Sequence, residues 1–196
     1  MRIDKRFHAA PVALAALLTL LPGASHAEPK ADLLAQCAAC HGPNGNSQNP
    51  ELPSIAGQPR VFIENQLVMI REGLRDVPPM KPVMANVDDA AVVELAKFFS
   101  SQKPAAKAGQ VRQASYRAGE ELSQKNLCGT CHLADYSGQN QVPRIAGQQE
   151  PFLLGTMKQF RDNPGPGRDT IMAATLRGMS DADLANLAHY LANYKP

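Results

Sequence analysis

The chain has 196 residues, of which 44% are hydrophobic and 19% charged, the make-up of a soluble globular protein. With no Trp and only 5% aromatic residues, small domains cut from it would build thin cores from side chains alone. The formal net charge of +2 falls to zero without the first 27 residues, which hold Arg2, Lys5 and Arg6 against Asp4, so the basic balance is no sign of nucleic-acid affinity.

Those first residues read as an export signal. Arg2, Lys5 and Arg6 form the basic start, and Pro11 to Leu21 is an apolar run too short to span a bilayer comfortably. Ser25-His26-Ala27 supplies small residues for cleavage after Ala27, and no cysteine stands nearby to take a lipid anchor. The expected location of the mature chain is a bacterial periplasm.

Lys30 to Cys40 reads as a short helix, and Gly42 to Pro53, dense in Gly, Asn and Pro, as loop. Arg60 to Arg71 carries Phe62, Ile63, Leu67 and Ile70 at helical spacing, and Gly73 to Val87 returns to loop around Pro78, Pro79 and Pro82. Asp88 is placed to cap a closing helix whose apolar stripe is Val92, Leu95, Ala96 and Phe99. Ser101 to Ala114 is rich in Lys, Gln, Ala and Gly without a large apolar face, and reads as a linker. The second half repeats the plan: a helix from Ser115 to about Lys125, a middle helix from Glu150 to Arg161, and a breaker loop from Asn163 to Gly167. Ser180, Asp181 and Asp183 then start a closing helix with Leu184, Leu187, Ala188 and Leu191 inside. No segment reads as a strand. The expected organisation is a signal at 1–27, all-α domains at 28–100 and 115–196, and a linker at 101–114.

The repetition extends to the residues themselves. Cys37-Ala38-Ala39-Cys40-His41 returns as Cys128-Gly129-Thr130-Cys131-His132. Pro53-Ser54-Ile55-Ala56-Gly57-Gln58 returns as Pro143-Arg144-Ile145-Ala146-Gly147-Gln148, and Phe62 and Arg71 return as Phe152 and Arg161 at the same offset of 90. A C-x-x-C-H stretch is the attachment signature of c-type haem: two thiols add to the porphyrin vinyl groups, and the histidine ligates the iron. Cys37, Cys40, Cys128 and Cys131 would then carry two haems, with His41 and His132 as proximal ligands. A zinc site, a thiol redox pair or a disulfide framework can also use C-x-x-C. However, Cys40 and Cys128 lie 88 positions apart, and neither zinc nor redox chemistry requires a histidine after each pair. A buried haem in each half would also supply apolar bulk to the thin cores.

An electron-passing c-type haem normally has a second axial ligand, and methionine is the common one. Met80 lies eight residues before Asp88, and Met172 eight before Ser180; they stand 39 and 40 residues beyond His41 and His132. This matched spacing selects Met80 and Met172 as sixth ligands, with Met84 the rival in the first half. Met69 and Met157 fall inside the middle helices, where methionine is ordinary core. The carbonyls of Pro53 and Pro143 are candidates to accept the second N–H of each histidine, against the simpler reading of both prolines as loop residues. His189 is expected to have a surface or packed role.

Taken together these residues resemble the c4-type dihaem cytochromes c. The shared pattern is C-x-x-C-H-G, then P-x-I-A-G-Q, an aromatic-led middle helix and a methionine before a capped helix, twice in tandem. The resemblance covers the whole mature chain. It implies two tandem class I cytochrome c domains packed about a pseudo-twofold axis, each with a covalently bound haem c. It implies a periplasmic electron carrier, not an enzyme, serving respiratory-chain donors and a terminal oxidase. The partners would be redox proteins such as a terminal oxidase or a dehydrogenase, not nucleic acid, and peripheral membrane association is compatible with this role. A related dihaem subunit of a flavin-containing sulfide dehydrogenase shares much of the pattern, so a permanent place in a dehydrogenase complex is the alternative. An exposed apolar patch beyond the haem edges would favour that alternative. The pattern is broken twice. Leu133 stands where the first motif is followed by Gly42, and the helix before Cys37 is short and lacks an aromatic residue.

Overall fold

The computed structural model describes residues 31–105, 110–163 and 165–195. The export signal and its cleavage after Ala27 lie outside the described residues, as do positions 106–109 of the linker and 164 of the breaker loop. Among the described residues there is no strand, only an isolated bridge between Gln139 and Val142. No helix there is long and apolar enough to cross a membrane.

The first half contains α1 (Ala31–His41), α2 (Arg60–Arg71), α3 (Lys81–Met84) and α4 (Asp89–Ser101). The second contains α5 (Gln113–Lys125), α6 (Cys128–His132), α7 (Glu150–Asp162), α8 (Thr170–Leu176) and α9 (Asp181–Asn193). Each closing helix is started by a side chain that satisfies an orphan backbone donor. Asp88 accepts from Ala91 N–H at 2.8 Å, and Ser180 and Asp183 form a reciprocal capping box. The expected apolar stripes are the cores: Val92, Leu95, Ala96 and Phe99 are buried in one half, Leu184, Leu187, Ala188 and Leu191 in the other.

Three expected boundaries shift. The loop from Gly73 to Val87 contains a 3-10 turn at Pro78–Met80 and then α3, because Pro82 falls in its first turn, where a missing N–H breaks no helical bond. The stretch after Gly167 is helical at α8, because Asp169 caps it by accepting from Met172 N–H at 2.9 Å. At the linker, α4 runs through Ser101 and α5 begins at Gln113.

The halves differ at their N-terminal helices. In the second half α5 packs across α9 and Gly119 is the crossing point, where an added Cβ would lie 2.2 Å from Asn186 O. Tyr116, Tyr136, Tyr190 and Tyr194 meet edge-to-face there, with ring centroids 4.8–5.8 Å apart. In the first half, α1 buries no residue fully. Leu34, Ala35, Ala38, Phe98 and Phe99 line an open hollow of about 260 Å³. Among the described residues α1 brings no aromatic side chain to this hollow, whereas α5 brings Tyr116 to the tyrosine cluster of the other half.

His189 is packed rather than exposed. It accepts from Arg112 N–H at 2.9 Å and donates from Nδ1 to Glu150 Oε2 at 2.8 Å, joining the entry of α5 to α7 and α9. Burial alone would raise the Glu150 pKa, but the hydrogen bonds from Arg112 and His189 outweigh it and hold the carboxyl below its usual 4.5. A depressed carboxylate contributes stability above its unfolded pKa, and that stability is lost as pH falls through the lower native value. Glu150→Gln is therefore expected to lower the melting temperature at pH 7 by a few degrees and to lose less than the parent chain between pH 5 and acid pH. Melting curves across that range check it; equal acid sensitivity of the two proteins would remove Glu150 from the account.

The halves meet through matched glutamines. Gln58 Nε2 donates to Arg144 O and Gln58 Oε1 accepts from Arg144 N–H, both at 2.9 Å. Gln148 makes the mirror pair with Ser54, donating to its O and accepting from its N–H, both at 2.8 Å. The same residues at an offset of 90 serve both directions, as a pseudo-twofold axis requires.

Candidate functional site

Cys37, Cys40 and His41 lie on the last turns of α1; Cys128, Cys131 and His132 make up most of α6. All four cysteines are free, Cys37 and Cys128 half-buried and Cys40 and Cys131 exposed. Burial pushes the Cys37 thiol up from 9.0, and the Cys128 thiol likewise, although its hydrogen bond with Ser123 pulls it back. Among the described residues no three His, Cys, Asp or Glu side chains converge on a common point suited to a lone metal ion.

The histidines fit a porphyrin iron instead. His41 Nδ1 lies 2.9 Å from Pro53 O, and His132 Nδ1 lies 2.8 Å from Pro143 O. A carbonyl only accepts, so each Nδ1 carries the proton and each Nε2 keeps its lone pair for a metal. The two prolines thus hold the histidine orientation. Burial lowers the His132 pKa from 6.5, the Pro143 carbonyl opposing it, which favours the neutral imidazole that binds iron.

The methionines separate by burial. Met80 ends the 3-10 turn and packs, half-buried, against the first core, which Cys37 also borders. Met172, near the start of α8, packs likewise against the second core beside Cys128. Met84, by contrast, is 2% exposed, and at the offset of 92 that relates Met80 to Met172 its counterpart is Leu176, also 2% exposed. Met84 fills a core slot that the other half fills with leucine.

One arginine holds the exit of each methionine loop. Arg71 Nη1 donates to Val87 O at 3.0 Å, and its Nη2 meets Asp89 at 2.8 Å. Arg161 does the same to Met179 O at 2.9 Å and Asp181 at 2.7 Å. The repeat shows both arginines, but nothing local in the sequence shows their targets, 16 and 18 residues away. Asp169 is similarly hidden: its counterpart at the same offset is Val77, whose backbone O accepts from Met80 N–H, so the second half uses a side chain where the first uses a carbonyl.

Comparison with known proteins agrees with this geometry. Residues 24–99 match the family model described as cytochrome c oxidase, cbb3-type, subunit III, and residues 116–195 match the cytochrome c model. Cytochrome c4 of Pseudomonas aeruginosa is 31% identical over 189 residues, spanning 89% of this chain and 94% of that one. The chain belongs to the cytochrome c4 family. A crystal structure of reduced recombinant cytochrome c4 from Pseudomonas stutzeri matches it with a TM-score of 0.76 at 27% identity, over 83% of this chain and 95% of that one. A thiosulfate dehydrogenase electron acceptor from Thiomonas intermedia is 28% identical over 170 residues, covering 81% of this chain and 78% of that protein. As a cytochrome c4, the chain is two class I cytochrome c domains with two covalently bound haem c groups.

Proposed function

We propose that this chain is a periplasmic electron carrier, exported after cleavage behind Ala27, with domains at 28–100 and 115–196 joined by 101–114. Cys37 and Cys40 hold one haem and Cys128 and Cys131 the other, through thioethers. His41 and His132 would hold the two irons through Nε2, and Met80 and Met172 would hold them through their thioether sulfurs. When bound, each haem supplies a one-electron Fe(III)/Fe(II) couple. The paired histidine–proline bonds carry this reading, because they leave both Nε2 atoms free in one geometry. Methionine, a soft donor, favours Fe(II) and raises the potential. A histidine and a methionine from the chain at each iron would leave no place there for a substrate, which supports a carrier rather than an enzyme. Respiratory-chain donors and a terminal oxidase are the proposed partners.

A second reading, a dedicated acceptor or permanent relay for a dehydrogenase, is favoured by one observation. Leu127 and Ile171, 69% and 68% exposed, immediately precede Cys128 and Met172. At the matching places the first half has Gln36 and Pro79, so at these two positions a large aliphatic side chain flanks the second site and not the first. The relative named as a thiosulfate dehydrogenase electron acceptor supports the same reading.

Absorption spectra of the haem-loaded protein test the ligands. Met80→Ala and Met172→Ala are each expected to remove half of the far-red sulfur-to-iron charge-transfer band, and the double variant all of it. Retention of the full band in either single variant sinks that assignment, and Met84→Leu is expected to leave the band intact.

A further inference from the structure

We propose that Gln58 and Gln148 are crossed positioning residues: Gln148 tunes His41 of the first domain, and Gln58 tunes His132 of the second. The inference rests on the two histidines being iron ligands. His41 donates to Pro53 O, and the same peptide group carries its N–H at Ser54, which donates to Gln148 Oε1 across the interface. His132 donates to Pro143 O, and that peptide's N–H, at Arg144, donates to Gln58 Oε1. In both directions one conjugated peptide unit stands between the histidine and the other domain's glutamine.

The peptide C–N bond is partly double, so when an acceptor draws the N–H proton toward itself the nitrogen becomes richer in electrons and resonance passes that density to the carbonyl oxygen. An acceptor on Ser54 N–H therefore makes Pro53 O a better acceptor for the His41 proton, as hydrogen-bonded chains polarise one another. A histidine whose Nδ1 proton is drawn off is more basic at Nε2 and stabilises Fe(III). The orientation of each glutamine is not free. Nε2 donates to the carbonyl of the same residue whose N–H meets Oε1, and a flipped amide would set donor against donor and acceptor against acceptor. Gln58 and Gln148 are 5% and 6% exposed, so bulk solvent has little access to either bond. Each domain thereby sets part of the potential of the haem it does not contain.

The test uses the complete haem-loaded chain, with Gln148→Met and Gln58→Met, and follows each haem separately through its methyl NMR resonances during a redox titration. Gln148→Met is expected to shift the first domain's haem toward Fe(II), by about twofold in the Fe(III)/Fe(II) ratio at fixed potential, and to leave the second in place. Gln58→Met is expected to do the reverse. Gln149→Ala removes a 2.7 Å bond to Ser47 O across the same interface without touching either peptide unit, and should move neither haem. Should Gln148→Met fail to fold, Gln58→Met by itself carries the test, through a shift of the second haem with the first left in place. Equal shifts of both haems, a shift confined to the variant's own domain, or no shift overturns the proposal. Failure of the ligand assignment would appear elsewhere, in the Met80→Ala and Met172→Ala spectra, which depend on neither glutamine.

Discussion

Gly119→Val should destabilise the second domain by about 3 kcal/mol, lowering its thermal transition by over ~10 °C while the first domain melts where it did before. Gly119 is buried in α5 where that helix crosses α9. A Cβ there would lie 2.2 Å from Asn186 O and 2.6 Å from Tyr190 Cβ. Both are parts of a packed helix, and neither can swing aside, so the helices must separate. Separation would also loosen the Tyr116–Tyr190 contact, at 4.9 Å, and the buried chain in which Tyr190 OH donates to Tyr136 OH, itself bonded to Ser123. Gly155, in α7, provides the opposite case. An added Cβ meets nothing within 4 Å, so Gly155→Ala is expected to stabilise by about 0.5–1 kcal/mol through helix propensity alone. Far-UV circular dichroism melts, with the Met172-dependent absorption band as marker for the second domain, read both effects. A Gly119→Val protein that melts like its parent would show that α5 and α9 do not cross at this contact.

The second large effect is expected at Gly42. Gly42 and Leu133 follow the two haem motifs in nearly the same backbone conformation, φ 75°, ψ 171° and φ 67°, ψ 162°. That region is open to glycine and strained for a side chain, at a cost of about 1–3 kcal/mol. At Gly42 a Cβ would also fall 2.1 Å from Asn46 O. Strain and collision together put Gly42→Ala at roughly 3–5 kcal/mol of destabilisation. The displaced loop is the one that follows His41, so weaker ligation of the first haem should accompany the lower melting point. Leu133 already bears the strain. Leu133→Gly should relieve it, less about 1 kcal/mol for the freedom glycine gains when unfolded, leaving a gain of about 1 kcal/mol. Loss of stability on Leu133→Gly would mean that the leucine's packing exceeds its backbone strain.

Much of this molecule is written locally. The haem motifs are five-residue signatures whose chemistry depends on neighbours in sequence, so Cys37 to His41 and Cys128 to His132 are legible before any folding. The buried stripes of α4 and α9 follow from 3.6-residue periodicity, and their starts from Asp88 and Ser180. Duplication extended this reach, because a residue seen at matching places in both halves has two contexts instead of one. That is how Pro53 and Pro143 could be singled out before their bonds to the histidines were seen.

Other features depended on packing between residues remote in the chain. Spacing in the repeat favours Met80 over Met84, but only the core, where Met84 matches Leu176, shows what Met84 does instead. The hollow beside α1 needs the position of Phe98 and Phe99 relative to a helix some sixty residues earlier. The Gln58 and Gln148 pairings join residues 86 and 94 positions apart. The sequence by itself determined two haem-binding all-α repeats, since covalent motifs and helical periodicity are short-range properties. Only the tertiary structure decided which methionine is core, where the arginine clamps land, and which carbonyl each glutamine meets, because directional hydrogen bonds between distant segments exist only once both surfaces have been built.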